Sequence, residues 1–159
     1  MADHHNLFFN VSTLSVSGRY RCSGDGRNMK NGIYSIHIHM LDGVKGRDSG
    51  VLILRDGVLL GGGPYFWSRG AYTIGNGTSK SGTSNNGTSN SGIWKGELAT
   101  NQHTPFADGL TRPLFGGEEA TSGFSGTFSD DAAEVFGAML VAGHRSLGFR
   151  ASLKRLAEF

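Results

Sequence analysis

The chain has 159 residues, enough for one ordinary domain and too few for two comfortable ones. Its formal net charge is +2, and its basic residues are scattered with no adjacent run longer than Lys154-Arg155, so the concentrated stripe of a nucleic-acid-binding protein is missing. The single cysteine, Cys22, rules out an internal disulfide, and no run of about 18 apolar residues offers a membrane-spanning helix.

Residues 1–28 carry no sustained hydrophobic period and end in the polar run Ser23-Gly24-Asp25-Gly26-Arg27-Asn28. They read as a loosely held extension ahead of a second beginning at Met29. The competing reading docks Leu7-Phe8-Phe9 as an extra strand or a cap. Met1 to Asn6 lacks the basic start of a secretory signal, which with the lone cysteine predicts a cytoplasmic protein.

From Gly32 onward, strand-like runs recur between turn residues. The first spans Ile33 to Met40, with Tyr34, Ile36, Ile38 and Met40 on one face and Ile33, Ser35, His37 and His39 on the other. The second, Gly50 to Arg55, meets the third, Val58 to Leu60, across Asp56-Gly57, a strong hairpin signal. A fourth covers Tyr65 to Ile74, with Tyr65 and Trp67 on one face and Phe66 and Tyr72 on the other. A fifth runs from Ile93 to Gln102, a sixth from Ser122 to Phe128, a seventh from Glu134 to Ala142 and an eighth from Leu147 to Leu156. Asp131 to Phe136 and Ala151 to Phe159 are also helix-compatible, but Gly137, Gly143 and Gly148 are poor residues for a helix interior.

Between the fourth and fifth strands, residues 75–92 are Gly, Asn, Ser and Thr apart from Lys80, a composition that reads as a flexible hairpin loop. The sequons at Asn10, Asn76 and Asn86 follow from that kind of composition. Residues 103–120 form a second loop. Eight short strands rich in glycine turns predict an all-β fold: an up-and-down antiparallel sheet closed into a lipocalin-like barrel, because closure removes exposed edges. The predicted organisation is therefore a 1–28 extension and a single barrel domain over 29–159.

Chemistry-bearing clusters are sparse. His37 and His39 point to one face of a strand and, joined by His103 or His144, are the weak candidates for a metal site; the plainer reading is a pair of surface histidines. No nucleophile motif occurs, and Gly61-Gly62-Gly63 lacks the lysine of a phosphate loop. The acidic pairs Glu118-Glu119 and Asp130-Asp131 lie in loops as solvated neighbours. No enzyme reaction and no cofactor is predicted. The aromatics carry more: Tyr65, Trp67 and Tyr72 on the fourth strand and Trp94 on the fifth are candidate anchors for a protein partner, the alternative being that all pack into the core.

The segments Met29-Lys30-Asn31-Gly32-Ile33-Tyr34-Ser35, Gly50 to Gly57, Leu60-Gly61-Gly62, Gly70-Ala71-Tyr72 and Trp94-Lys95-Gly96-Glu97 follow one another in an order that resembles the GrlR-type family, the negative regulators of type III secretion. The resemblance covers about residues 29–156, with the glycine-rich loop as an insertion. It implies an eight-stranded barrel, a homodimer, and repression by direct binding of a helix-turn-helix activator. The acidic loop that contacts the activator in founding members has no counterpart here; Glu118-Glu119 and Asp130-Asp131 come nearest.

Two functions from different classes follow. One is a regulatory binding protein that sequesters a protein partner, with Tyr65, Trp67, Tyr72, Trp94, Glu118 and Glu119 at the contact. The other is a carrier of a small apolar ligand in the barrel, with room left by Gly126, Gly137, Ala138, Ala142 and Ala151.

Overall fold

The computed structural model describes residues 29–42, 48–75, 91–105, 119–141 and 145–159. Eight strands stand among them: β1 (Gly32–Met40), β2 (Asp48–Arg55), β3 (Val58–Gly62), β4 (Phe66–Gly75), β5 (Ser91–Gln102), β6 (Ala120–Ser129), β7 (Ala132–Val141) and β8 (Arg145–Ala157). Each pairs antiparallel with the next, and β8 returns to β1, so the sheet is a closed barrel in simple sequence order. The all-β, eight-stranded up-and-down barrel expected from alternation is the observed fold.

The two helix-compatible segments, Asp131 to Phe136 and Ala151 to Phe159, form no helix, as the strand reading expected: β7 and β8 are continuous strands, held because their apolar residues alternate with period two against two neighbours. Several boundaries differ from expectation. Gly75, Ser91 and Gly92 belong to β4 and β5 rather than to the connecting loop. Ala120 likewise opens β6, where it is fully buried, so the second loop is shorter than 103–120. The fourth strand starts at Phe66, one residue later than expected, because Gly63 to Tyr65 make the turn. There the Gly63 N–H donates to the Phe66 carbonyl at 2.8 Å. The 1–28 extension lies outside the described residues.

The β2–β3 hairpin shows why Asp56-Gly57 was informative. Both residues have positive φ, 51° and 85°, which matches the right-handed twist of the flanking strands. The Asn31 side chain brackets this turn by donating to Asp56 Oδ1 at 2.9 Å and accepting from the Asp56 N–H at 3.0 Å.

Alternation sorts the residues into an apolar interior and a mixed exterior. Tyr34, Leu52, Leu54, Leu59, Trp94, Phe124, Phe128, Phe149 and Leu153 point inward and are buried. This is the reverse of a lipid-spanning barrel, whose apolar band faces out and whose interior is polar. The described residues contain no helix long and apolar enough to cross a membrane.

The surplus of glycine finds a steric explanation in the register. Inward aromatic rings sit opposite glycines on the neighbouring strand: Phe128 opposite Gly92, Phe124 opposite Gly96, and Phe149 opposite Gly137. A Cβ at Gly96 would lie 2.6 Å from the Phe124 ring, and one at Gly137 would lie 2.5 Å from the Phe149 ring. Each glycine gives a large ring a floor on a strongly curved sheet, a device that lets aromatics fill a narrow barrel.

The end of the barrel where β1 begins and β8 finishes is the base. Tyr34 and Leu54 are fully buried there, Met29 packs beside them, and the Tyr34 hydroxyl donates to the Lys30 carbonyl at 2.7 Å. Arg155 ties the β6–β7 turn to β8: its backbone N–H reaches the Asp131 carbonyl at 2.7 Å, its Nε reaches Asp131 Oδ1 at 2.6 Å, and its Nη1 reaches Glu158 at 2.8 Å.

Candidate functional site

Two features stand out once the core is accounted for, one inside the barrel and one outside. Inside, a cavity of about 100 Å³ runs from the core beside Leu59, Trp94 and Leu153 toward the end away from the base. Ile36, Ile38 and Met40 of β1, Leu98 of β5, Met139 of β7 and Phe149 of β8 contribute apolar walls. It extends to Asp48, Ser49, Gly63 and Phe66, at the end where β2 begins and the β3–β4 turn lies. Tyr72, Trp94 and Phe124 form the aromatic core beneath it in edge-on contacts, with ring centroids 5.8 Å and 4.8 Å apart.

Polar groups in this interior are few. Ser68 and Thr100 satisfy one another across β4 and β5 at 2.8 Å. Among the described residues, two buried side-chain polar atoms lack a hydrogen-bond partner, the Trp94 indole nitrogen and the Ser122 hydroxyl, and both residues line the cavity. Asp48 is the one ionisable residue of the described lining. It shares the inward parity of Leu54, Leu52 and Gly50 at the strand's first position, where it stands at the barrel mouth and stays exposed to solvent. Partial desolvation at that mouth raises its pKa above the ordinary carboxylate value, partly offset by the Ser49 N–H from which it accepts at 2.9 Å.

Outside, β2, β3 and β4 present an apolar face. Ile53 stands opposite Leu60, Val51 opposite Gly62, Gly62 opposite Trp67, and Val58 opposite Ala71. Val58 is 56% exposed, Leu60 49%, Val51 44%, Trp67 38% and Ile53 37%. Ile33 of β1, opposite Ile53, continues the patch at its edge. Arg69 rests over the Trp67 ring at 5.9 Å and borders the face with charge. Isolated exposed apolar residues are ordinary, but a contiguous set of this kind with a polar border is typical of a docking surface.

The residues anticipated as partner contacts separate into three groups. Tyr65 and Trp67 are on the outside, as their shared face required. Tyr72 and Trp94 are not available to a partner on the outer surface: they are buried in the aromatic core, so their assignment as surface anchors is corrected. The reason is parity, since Tyr72 follows Phe66 on the inward face of β4 and Trp94 occupies the inward face of β5. Glu119 is exposed and accepts a hydrogen bond from Asn101 Nδ2 at 2.9 Å, whereas Glu118 lies outside the described residues.

The histidines do not assemble. His37 and His39 are exposed on the outer face of β1, and the His39 Nδ1–H donates to the Met40 carbonyl at 2.8 Å. His103 acts as a clamp on the β3–β4 turn: its Nε2–H donates to the Gly63 carbonyl at 3.1 Å while its Nδ1 accepts from the Thr104 hydroxyl at 2.8 Å. His144 lies outside the described residues. Among the described residues no three His, Cys, Asp or Glu side chains come together as metal ligands.

The small residues expected to leave room behave differently from expectation. Ala138 faces outward, Ala142 lies outside the described residues, and the space beside Gly137 is taken by the Phe149 ring. Of that set Ala151 lines the cavity, joined by Gly50, Gly62 and Gly63, which the sequence reading did not connect with it.

No protein-family model matches the chain, and no curated protein is similar to it.

Proposed function

We propose that this barrel is a regulatory binding protein that engages other proteins through the outer face of β2, β3 and β4. The observation that carries the proposal is the run of exposed apolar side chains, Val51, Ile53, Val58, Leu60 and Trp67, on one continuous piece of sheet. Water-exposed apolar area of this kind is favourable to bury, and Trp67 with its neighbouring Arg69 supplies the residue types that dominate interface energetics. A second copy of the chain is the occupant in this reading, because homodimer interfaces are built on contiguous apolar area of this kind, with Arg55 beside Val58 and Arg69 beside Leu60 as its charged edge.

The sequestered partner in this reading is a transcription activator of the helix-turn-helix class, and the cell compartment is the cytoplasm. The support comes from the sequence: for the partner, the ordered motifs between Met29 and Glu97 that resemble the negative regulators of type III secretion, and for the compartment, the lone Cys22. Tyr65 and Glu119, near the end of the barrel away from the base, are the remaining candidate contacts for that partner.

The test is affinity capture from the source cell under conditions that preserve dimers, with the wild type beside Leu60→Glu. Recovery of a helix-turn-helix regulator by the wild type, and its loss or marked depletion with the variant, is the expected result. Recovery of no regulator by the wild type contradicts the sequestration reading.

A further inference from the structure

We propose that the interior cavity binds a small uncharged molecule with an apolar body and a hydrogen-bond acceptor, which the Trp94 indole N–H and the Ser122 hydroxyl recognise. The inference is independent of the outer face and of any protein partner.

Three observations converge on it. The first is size: about 100 Å³ is of the same order as the roughly 150 Å³ apolar cavities that hold benzene. The second is unmet hydrogen bonding. Trp94 is 1% exposed and Ser122 4%, yet neither Nε1 nor Oγ has a hydrogen-bond partner among the described residues. Buried polar groups are overwhelmingly paired, and leaving one unpaired costs about 1–3 kcal/mol. Ser68 and Thr100, in the same cavity, show that the interior pairs its polar groups where geometry allows. Trp94 and Ser122 sit on adjacent strands on either side of Phe124, whose ring packs against Trp94. Both residues line the cavity, Trp94 opposite Gly126 and Ser122 opposite Leu98 in the β5–β6 register.

The third observation is charge, and it selects the class of ligand. The described lining contains no Lys, Arg or His, and its one ionisable group is the acidic Asp48. A carboxylate ligand would enter without a countercharge and face a second carboxylate, and an uncompensated buried anion is strongly disfavoured. A ketone, ester or aldehyde on a hydrocarbon body meets no such cost, and its carbonyl oxygen accepts what Trp94, a donor only, offers.

The experiment uses the full chain carrying Trp67→Phe, which leaves Trp94 as the only tryptophan. Its indole N–H resonance is followed by NMR during titration with cyclohexanone, cyclohexane and cyclohexanecarboxylate. Cyclohexanone is expected to move the resonance downfield in a saturable manner, cyclohexane to produce no downfield shift, and the carboxylate to bind at least about tenfold more weakly than the ketone. Ser122→Ala, in the same background, is expected to weaken cyclohexanone about fivefold while leaving the melting temperature unchanged or raised, since it removes an unpaired polar group. The proposal is overturned if cyclohexanone gives no saturable shift, if the carboxylate binds as tightly as the ketone, or if the indole proton exchanges with a bound water that the ketone does not displace.

Discussion

At the base of the barrel Tyr34 and Leu54 have no solvent exposure, Met29 lies against them, and the Arg155 network holds the last strand to the β6–β7 turn. Toward the other end, Ile36, Ile38 and Met40 of the same strand line a cavity, and an acidic side chain occupies an inward position. One continuous sheet thus divides its work: the base is filled to specify the fold, and the interior above it is left with space, lined by two residues whose buried polar atoms are unpaired among the described residues. A close-packed interior loses contacts on any truncation, whereas side chains that already border a void have fewer to lose. The difference teaches that stability and binding are separable here along the barrel axis.

The strongest way to break that comparison is a pair of truncations. Leu54→Ala at the base is expected to destabilise by about 3 kcal/mol, and Ile38→Ala at the cavity by about 1 kcal/mol, both read from denaturant midpoints. Equal losses would remove the distinction between the ends.

Tyr34→Phe comes next, with an expected loss of about 1 kcal/mol at neutral pH from the hydrogen bond to the Lys30 carbonyl. It also carries a pH signature. Burial, against the lowering influence of Arg155, pushes the Tyr34 pKa up from 10.0 to about 12. The folded state therefore holds this proton more tightly than the unfolded state. The resulting stability is fully present below about pH 10 and is lost as pH rises toward 12. In Tyr34→Phe that alkaline decline should be shallower.

Asp48→Asn is the smallest effect and has the opposite sign. Because desolvation raises the carboxyl's pKa in the folded protein, the ionised form is disfavoured there. Folding is then helped by protonation, so stability falls as pH rises above the ordinary Asp value. The amide is expected to raise the melting temperature slightly at neutral pH and to give no advantage in acid, as thermal scans across that range would show. A lowered neutral melting temperature would place Asp48 among the stabilising groups of its end.

Much of this architecture was legible in the residues. Alternation in Ile33 to Met40 and Leu147 to Leu153 sorted the residues by face correctly, and Asp56-Gly57 placed a hairpin that the positive φ pair realises. Strand four's aromatics were divided correctly into two faces, but parity does not say which face is inside. Tyr72 and Trp94 could be assigned only when the closed register put Tyr72 against Trp94 and Trp94 against Phe124. Asp48 was overlooked because the second strand was started at Gly50; the even positions Leu54, Leu52 and Gly50, extended one step, would have found it. The cavity was beyond such reasoning. It depends on which small residue faces which large one across neighbouring strands, and the pairing of Gly137 with Phe149 fills space that a list of small residues suggests is open.

Sedimentation velocity of the full chain beside Leu60→Glu tests the docking face most directly. The account predicts a dimer for the wild type at micromolar concentration, and a monomer with an unchanged circular dichroism spectrum for the variant. A monomeric wild type, or a variant that still sediments as a dimer, would contradict it.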